Sequence, residues 1–317
     1  MAIDPSFQLG IEVGPLASPV VTKDMGDIAY IDHANTDELR KWYQDNPAVD
    51  LEKIVDVDHV WGEFTFEEAV GKDKKFDYVI ASHVIEHVPD MIGWFNEVGT
   101  ILKPNGILSL VIPDKRFTLD RLRRTSSDAE LIGAYFFQLR KPSPRQIFDH
   151  FSLVVEVDAQ KIWSGDCDDR QLRKLSTESL AFNACKDSID HNRYFDSHCW
   201  VFTPDSFFRN LYLLIELGLF DFEVNNFFDT AKGEIEFFVT LRKTNDLQED
   251  QKKKRHQLNS LPAHPSTPTM EELSLEGCLS RLEEQERIIT KIRQSTSWRI
   301  TAPLRKVSEK LKFYKAK

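Results

Sequence analysis

Residues 76–114, FDYVIASHVIEHVPDMIGWFNEVGTILKPNGILSLVIPD, constrain the fold more than any other stretch, because they set two buried strands around one helix. Residues 78–81 and 107–112 are short apolar runs of the kind that parallel strands need when helices cover both faces of a sheet. Polar chemistry begins where each run stops. Ser82, His83, Glu86 and His87 follow the first run, and Asp114, Lys115 and Arg116 follow the second. Both clusters therefore fall at carboxyl ends of strands, the edge along which open α/β sheets bind ligands.

Upstream, the apolar run 8–13 breaks into Gly14, Pro15, Leu16, Ala17, Ser18 and Pro19, with Glu12 just before the break. A glycine there lets backbone approach a ligand, and an acid at a strand end can accept hydrogen bonds from ribose hydroxyls or an ammonium group. About twenty residues later Asp32 ends a second strand-like run, 28–31. An acid after the second strand repeats the logic by which dinucleotide folds hold a ribose.

Taken together, EVGPLASP, YID, VDVDHVW, FDYVIASHVIEHV and LKPNGILSLVIPD resemble a class I S-adenosylmethionine-dependent methyltransferase over residues 8–243. The closest resemblance is to methyltransferase domains of bacterial surface-polysaccharide (O-antigen and capsule) clusters, which tend to carry E-x-G-P-L, A-S-H-V-I-E-H and I-P-D-K-R. The resemblance implies a Rossmann-like α/β sheet of seven strands in the order 3-2-1-4-5-7-6, the last strand antiparallel. It implies S-adenosylmethionine as cofactor, with Glu12 and Gly14 at the methionine end, Asp32 on the ribose and Asp58 with its neighbours at the adenine. Pro15, Ser82 and His83 complete the expected cofactor contacts. Only Gly14 remains of the usual G-x-G-x-G loop.

A nicotinamide-dependent sugar oxidoreductase would use the same strand, turn and helix to cradle a pyrophosphate on backbone amides. Pro15 and Pro19 remove donors there and no G-x-x-G follows, which suits a cofactor without phosphates better. The altered glycine loop also keeps open a degenerate domain that serves as a scaffold.

The 317 residues, 41% hydrophobic, suffice for a full α/β core plus an appendage. The formal net charge of -10 argues against nucleic acid as partner, because phosphate backbones reward basic surfaces. Cys167, Cys185, Cys199 and Cys278 form no C-x-x-C pair, and the chain carries no apolar run of membrane-spanning length, so a cytoplasmic location is expected.

The alternation of strands and helices predicts a helix over 36–44, a strand over 53–57 and a helix over 65–70 before the 76–114 unit. Thr203-Pro204-Asp205 reads as a cap with proline in the first turn, opening a helix through Leu217 that Gly218 ends. Residues 220–228 and 234–242 read as the last two strands. The charged, aromatic segment 115–200 is too long for a simple crossover and is expected to be a helical substrate lid. Among Arg116, Arg121, Arg123 and Arg124, a solvated helix face is the general expectation. Arg116, nearest the strand end, is the substrate candidate, with Asp114 and Lys115 beside it.

His83, Glu86 and His87 spell H-x-x-E-H. An inverted zinc-protease motif would need a long helix, whereas a strand precedes this one and Pro89 follows at once. The string also resembles the E-x-x-E-H magnesium site of small-RNA 2′-O-methyltransferases, with His83 in place of the first acid. Imidazole is a poor magnesium ligand, so manganese, iron or zinc would be the ion at His83, Glu86 and His87. The favoured reading is a metal-free pocket in which Glu86 is structural and a histidine is the general base. Methyl transfer to a sugar hydroxyl needs alignment and such a base. His87 and His198 are its main candidates, with His83 and His150 behind them, and Asp196, near His198 in the chain, can orient a ring.

Beyond residue 243 the composition predicts a solvated linker over 244–269. Over 270–294, Leu275, Leu279, Leu282 and Ile289 suggest a short coiled coil, hence a homodimer, or an amphipathic arm. The segment 295–317 resembles the S-x-S-W-R-I-T-A-P-L-R segment found beside glycosyltransferase and methyltransferase domains of the same polysaccharide pathways. Its basic residues around Trp298, Leu304 and Leu311 predict peripheral attachment to the inner membrane, or a glycosyltransferase partner. The expected activity is O-methylation of a sugar hydroxyl on a surface glycan or on its nucleotide- or lipid-linked precursor.

Overall fold

The computed structural model describes residues 3–244 and 250–262. Strand β1 (Gly10–Val13) pairs in parallel with β2 (Ile28–Asp32) on one side and β4 (Phe76–Ser82) on the other. Strand β3 (His59–Val60) extends the sheet beyond β2, and β5 (Leu102–Pro113) lies parallel to β4. Beyond β5 come β7 (Glu236–Lys243) and β6 (Phe222–Phe228), both pairings antiparallel. The order is 3-2-1-4-5-7-6, as the motifs imply. The central strands bury both faces: Ile11, Ile31, Val79 and Leu108 on one, and Tyr30, Tyr78, Ile80 and Ile107 on the other, are nearly sealed from solvent. Gly10 is a close approach, since a Cβ there would sit 2.1 Å from the ring of fully buried Tyr78.

Helices α1 (Thr36–Tyr43) and α2 (Phe66–Val70) each begin on a capping box, from Asn35 with Glu38 and from Thr65 with Glu68. Helix α3 (Met91–Ile101) is capped by Asp90 and lines the core through Phe95 and Val98. The third strand is later and shorter than its apolar run suggests. Ile54 packs with Ala34 and Leu39, and Val55 N–H donates to Leu16 O, so residues 54–57 serve the β1 loop instead of the sheet.

The 115–200 segment holds α4 (Asp128–Phe136), α5 (Pro144–Leu153), α6 (Ala159–Ser164) and α7 (Glu178–Asp190). Helix α8 (Pro204–Glu216) starts at the predicted Thr203 cap, and Gly218 follows with φ of 68°. The predicted linker contains a further helix, α9 (Asp250–Ser260). It is not a solvated spacer: buried Gln257 donates to Phe220 O and Phe222 O, Val224 N–H donates to Ser260 Oγ, and Leu261 joins the core. One apolar residue among many charges gave no periodicity from which to read it. The described residues belong to a unit that ends at His264. The coiled coil over 270–294 and the basic tail over 295–317 lie outside the described residues. No helix among the described residues is long and apolar enough to cross a membrane.

Candidate active site

At the end of β1, Gly14 takes φ of 62° and its N–H donates to Ile31 O. A Cβ there would stand 3.2 Å from Val84, which brings the β1 loop against the H-x-x-E-H turn that follows β4. Glu12 is 1% exposed and both its oxygens are engaged, accepting from Val20 N–H at 2.8 Å and Val21 N–H at 3.1 Å. It folds the 14–19 loop back on the strand, so its effect on a ligand runs through that loop. Burial raises its pKa, and the two amide donors oppose the rise.

Asp32 closes β2, buried, with Oδ1 accepting from His33 N–H at 2.7 Å and lying 2.6 Å from His33 Nδ1. Oδ2 has no partner among the described residues, which leaves an acceptor for a ribose hydroxyl. His33 stacks on Trp42 at 5.1 Å and lies 6.2 Å from the Tyr194 ring, forming an aromatic wall beside Asp32 that the motifs did not reveal.

Asp58 stands elsewhere. It precedes β3, and its carboxylate accepts from Tyr30 N–H at 2.8 Å and Lys23 Nζ at 2.9 Å, strapping two strands. The carboxyl end of β3 is Val60, followed by Trp61 and Gly62, which border a cavity of about 550 Å³ together with Phe66, Val88 and Trp94. An adenine contact for Asp58 does not follow from this placement. The misplacement comes from the strand being read several residues too early.

Ser82 ends β4 half-buried, and His83 turns the chain with φ of 52°. His83 Nε2 is bonded to Glu236 at 2.7 Å, while its Nδ1 lies 3.5 Å from Glu86 Oε1. The Glu86 carboxylate beside it pushes the His83 pKa up to about 9, with burial opposing and Glu236 assisting. Residues 84–87 form a turn, not a helix. Glu86 O accepts from Cys199 N–H at 2.6 Å and Trp200 N–H at 3.2 Å, and Trp200 Nε1–H donates to Val88 O at 2.6 Å. Trp200 is fully buried, and an indole of about 200 Å² contributes about 5 kcal/mol before entropy, so segment 198–200 is held firmly against the turn.

That staple brings His198 to His87, ring centroids 4.7 Å apart and planes at 80°. Each ring is oriented by its own carboxylate: His87 Nδ1 bonds Asp196 Oδ1 at 2.7 Å, and His198 Nδ1 bonds Asp120 Oδ2 at 2.6 Å. Asp196 thus serves His87 and not its sequence neighbour His198. Asp120, distant in the chain, had no signal in the sequence. Burial alone would lower the His87 pKa, but the bond to Asp196 and its charge more than reverse this. Burial would likewise raise Asp196, which the two histidines hold at about 2. His150 accepts from His198 N–H on Nδ1 at 3.2 Å, and burial, with His198 and Arg123 nearby, drives its pKa to about 3. It stands behind His198 as a neutral support.

Arg123 is neither solvated nor at the surface. Its side chain is 1% exposed, donating to Asp120 Oδ1 and Asp149 Oδ2, each at 2.7 Å, and to His198 O at 2.7 Å. The proposed substrate group after β5 is largely self-paired. Asp114 is fully buried, accepting from Arg116 Nε at 2.9 Å, Arg116 Nη2 at 2.5 Å and Thr230 Oγ1 at 2.8 Å. Lys115 Nζ donates to Arg121 O at 2.9 Å. Asp114 is therefore a structural anchor, while the Arg116 side chain remains 47% exposed. The three described cysteines, Cys167, Cys185 and Cys199, are free thiols.

These residues fit S-adenosylmethionine: a positive-φ glycine at β1, an acid with an open oxygen at β2, aromatic walls beside it, and a proline-interrupted loop that offers little to a pyrophosphate. The chain is similar to solved structures of a SAM-dependent methyltransferase from Methanosarcina mazei (13% identity, 77% of this chain and 96% of that one, TM-score 0.37) and of the CcbJ methyltransferase from Streptomyces caelestis (11%, 76% and 91%, 0.38). It is also similar to the CurJ carbon methyltransferase (11%, 77% and 50%, 0.35), of which it spans half the length. No curated protein matches the chain. The family described as "Methyltransferase domain" matches residues 24–209, more than half of the sequence. The protein belongs to this methyltransferase domain family and is an S-adenosylmethionine-dependent methyltransferase.

Proposed function

We propose that the protein methylates a hydroxyl of a sugar, on a surface glycan or on its nucleotide- or lipid-linked precursor. The observation that carries this reading is the pair of carboxylate-oriented histidines, His87 with Asp196 and His198 with Asp120, set beside the Gly14 loop through Val84. A sugar hydroxyl is far too weak an acid to ionise at neutral pH, so its methylation requires groups that take up its proton. When bound, S-adenosylmethionine supplies an electrophilic methyl group on a sulfonium. Asp32 anchors the ribose, the Gly14 turn admits the methionine end, and Asp120 and Asp196 fix both rings on Nδ1, leaving Nε2 of each for the acceptor's side of the reaction. The likeness of A-S-H-V-I-E-H and I-P-D-K-R to surface-polysaccharide methyltransferases supports a sugar acceptor.

The test is transfer of label from methyl-tritiated S-adenosylmethionine to a panel of nucleotide sugars and oligosaccharides, with product linkage read by mass spectrometry. O-methyl sugar formed by wild type and lost in His198→Gln is the expected result. Labelling of an amine or carbon acceptor, with no sugar labelled, would overturn it.

A further inference from the structure

Glu86 poses a problem that the methyl-transfer reading does not solve. It is 1% exposed, and neither carboxylate oxygen makes a hydrogen bond among the described residues. A buried carboxylate without partners costs several kcal/mol, so such a group is kept where something compensates it. His83 does so in part: its ring carries a counter-charge but stands 3.5 Å from Glu86 Oε1, while Glu236 holds its other nitrogen at 2.7 Å, so the carboxylate's hydrogen-bonding capacity stays unused. His87 Nε2 faces the same oxygen across 4.0 Å, too far for a hydrogen bond. His87 and His198 both spend Nδ1 on a carboxylate, which leaves both Nε2 atoms, and one ligand atom each from Glu86, His87 and His198 falls within 4.8 Å of the others.

We propose that Glu86, His87 and His198 bind one divalent transition-metal ion, of the manganese, iron or zinc type. Two imidazoles and one carboxylate with positions left open form the donor set of catalytic zinc and of non-haem iron sites, and it disfavours magnesium. The surroundings match the same chemistry. Metal-bound histidines donate their second nitrogen to a carboxylate that fixes tautomer and ring, and Asp196 and Asp120 stand in that relation to His87 and His198. The neighbouring set Asp120, His150 and His198 also lies close together, but Asp120 is already bonded to Arg123 and to His198 Nδ1. It is therefore an outer partner and not a ligand. His198 replaces His83 in the ligand set that the H-x-x-E-H string suggests.

This inference rests on the methyltransferase reading for its purpose. With both Nε2 atoms on the ion, the rings serve as ligands in place of taking the proton themselves, and a sugar hydroxyl held at the ion's open position would lose its proton to water near neutral pH. Its oxygen then forms the new bond to the methyl carbon as the carbon–sulfur bond breaks, the electron pair staying on sulfur to give S-adenosylhomocysteine.

The experiment needs neither acceptor nor turnover. Chelator-treated full-length protein is titrated with Mn²⁺ while the free-ion electron paramagnetic resonance signal is followed, and pulsed spectra of the bound ion report nitrogen ligands. One equivalent bound with two imidazole couplings is expected, weakened at least tenfold in Glu86→Gln and about 10–100-fold in Asp120→Asn. His150→Gln, which removes only a support behind His198, should weaken it less than Glu86→Gln does. Absence of binding by wild type, or binding that survives Glu86→Gln but fails in His150→Gln, would overturn the site. S-adenosylmethionine binding, measured on the same samples, separates that failure from failure of the methyltransferase reading.

Discussion

Replacing Arg123 with methionine tests how the active-site histidines are supported. The side chain is 1% exposed and makes charge-assisted bonds to Asp120 and Asp149 and a further bond to His198 O. Methionine preserves much of the volume but strands Asp120, whose side chain is 3% exposed. Removing one partner of a buried ion pair costs about 3–5 kcal/mol, because the other charge stays buried. The Asp120 pKa gives an independent scale. Burial would raise it, yet His198 and then Arg123 hold it at about 2 against 3.8. That depression corresponds to about 2 kcal/mol, present above pH 3.8 and lost as pH falls through about 2. Urea unfolding at pH 7, followed by circular dichroism, should show a loss of about 3 kcal/mol, with a melting temperature lower by about 10 °C. Arg123→Met with Asp120→Asn should lose less than the two single changes added together, since the stranded charge is then gone. A loss under about 1 kcal/mol, or strict additivity, would refute the argument that this network is buried and coupled.

Three further outcomes follow from single contacts. Gly14→Val places a branched side chain at φ of 62° with Val84 3.2 Å away, and should weaken S-adenosylmethionine binding at least tenfold by calorimetry while costing about 1–3 kcal/mol of stability. His83 is raised to about 9 by Glu86 and Glu236, so its stabilisation is complete below about pH 6.5 and disappears as pH rises through about 9. With the ring 39% exposed, solvent screening reduces this to about 1 kcal/mol, and a His83→Gln protein should show no such decline between pH 6.5 and 9. Gln257→Ala removes both donors to Phe220 O and Phe222 O and should cost about 1–3 kcal/mol by urea unfolding, whereas a free linker would lose nothing.

The sheet was legible because its strands are short and apolar on both faces and because capping residues mark several of the helices, as at Thr65 and Thr203. Gly14, Asp32, His87 and His198 could be named because they sit at strand ends or in strings rich in histidine. What joins them could not be read. Asp120 reaches His198, and Asp196 reaches His87, across 78 and 109 residues, and pairings at that separation leave no local pattern. Arg123 looked like one more surface cation in a basic run, and only packing makes it a buried tie. Asp58 illustrates the opposite error, a suitable residue type attached to a strand whose start was misjudged. Helix α9 escaped because it is held by amide and hydroxyl bonds to β6, not by an apolar stripe.

The most direct measurement is calorimetric titration of the full chain with S-adenosylmethionine, S-adenosylhomocysteine and NADH, repeated with Asp32→Asn. The account predicts that both adenosyl ligands bind, that NADH does not, and that the substitution weakens adenosyl binding at least tenfold, about 1.4 kcal/mol, through loss of the ribose contact. Binding of NADH alone, or adenosyl affinity indifferent to Asp32, would contradict it.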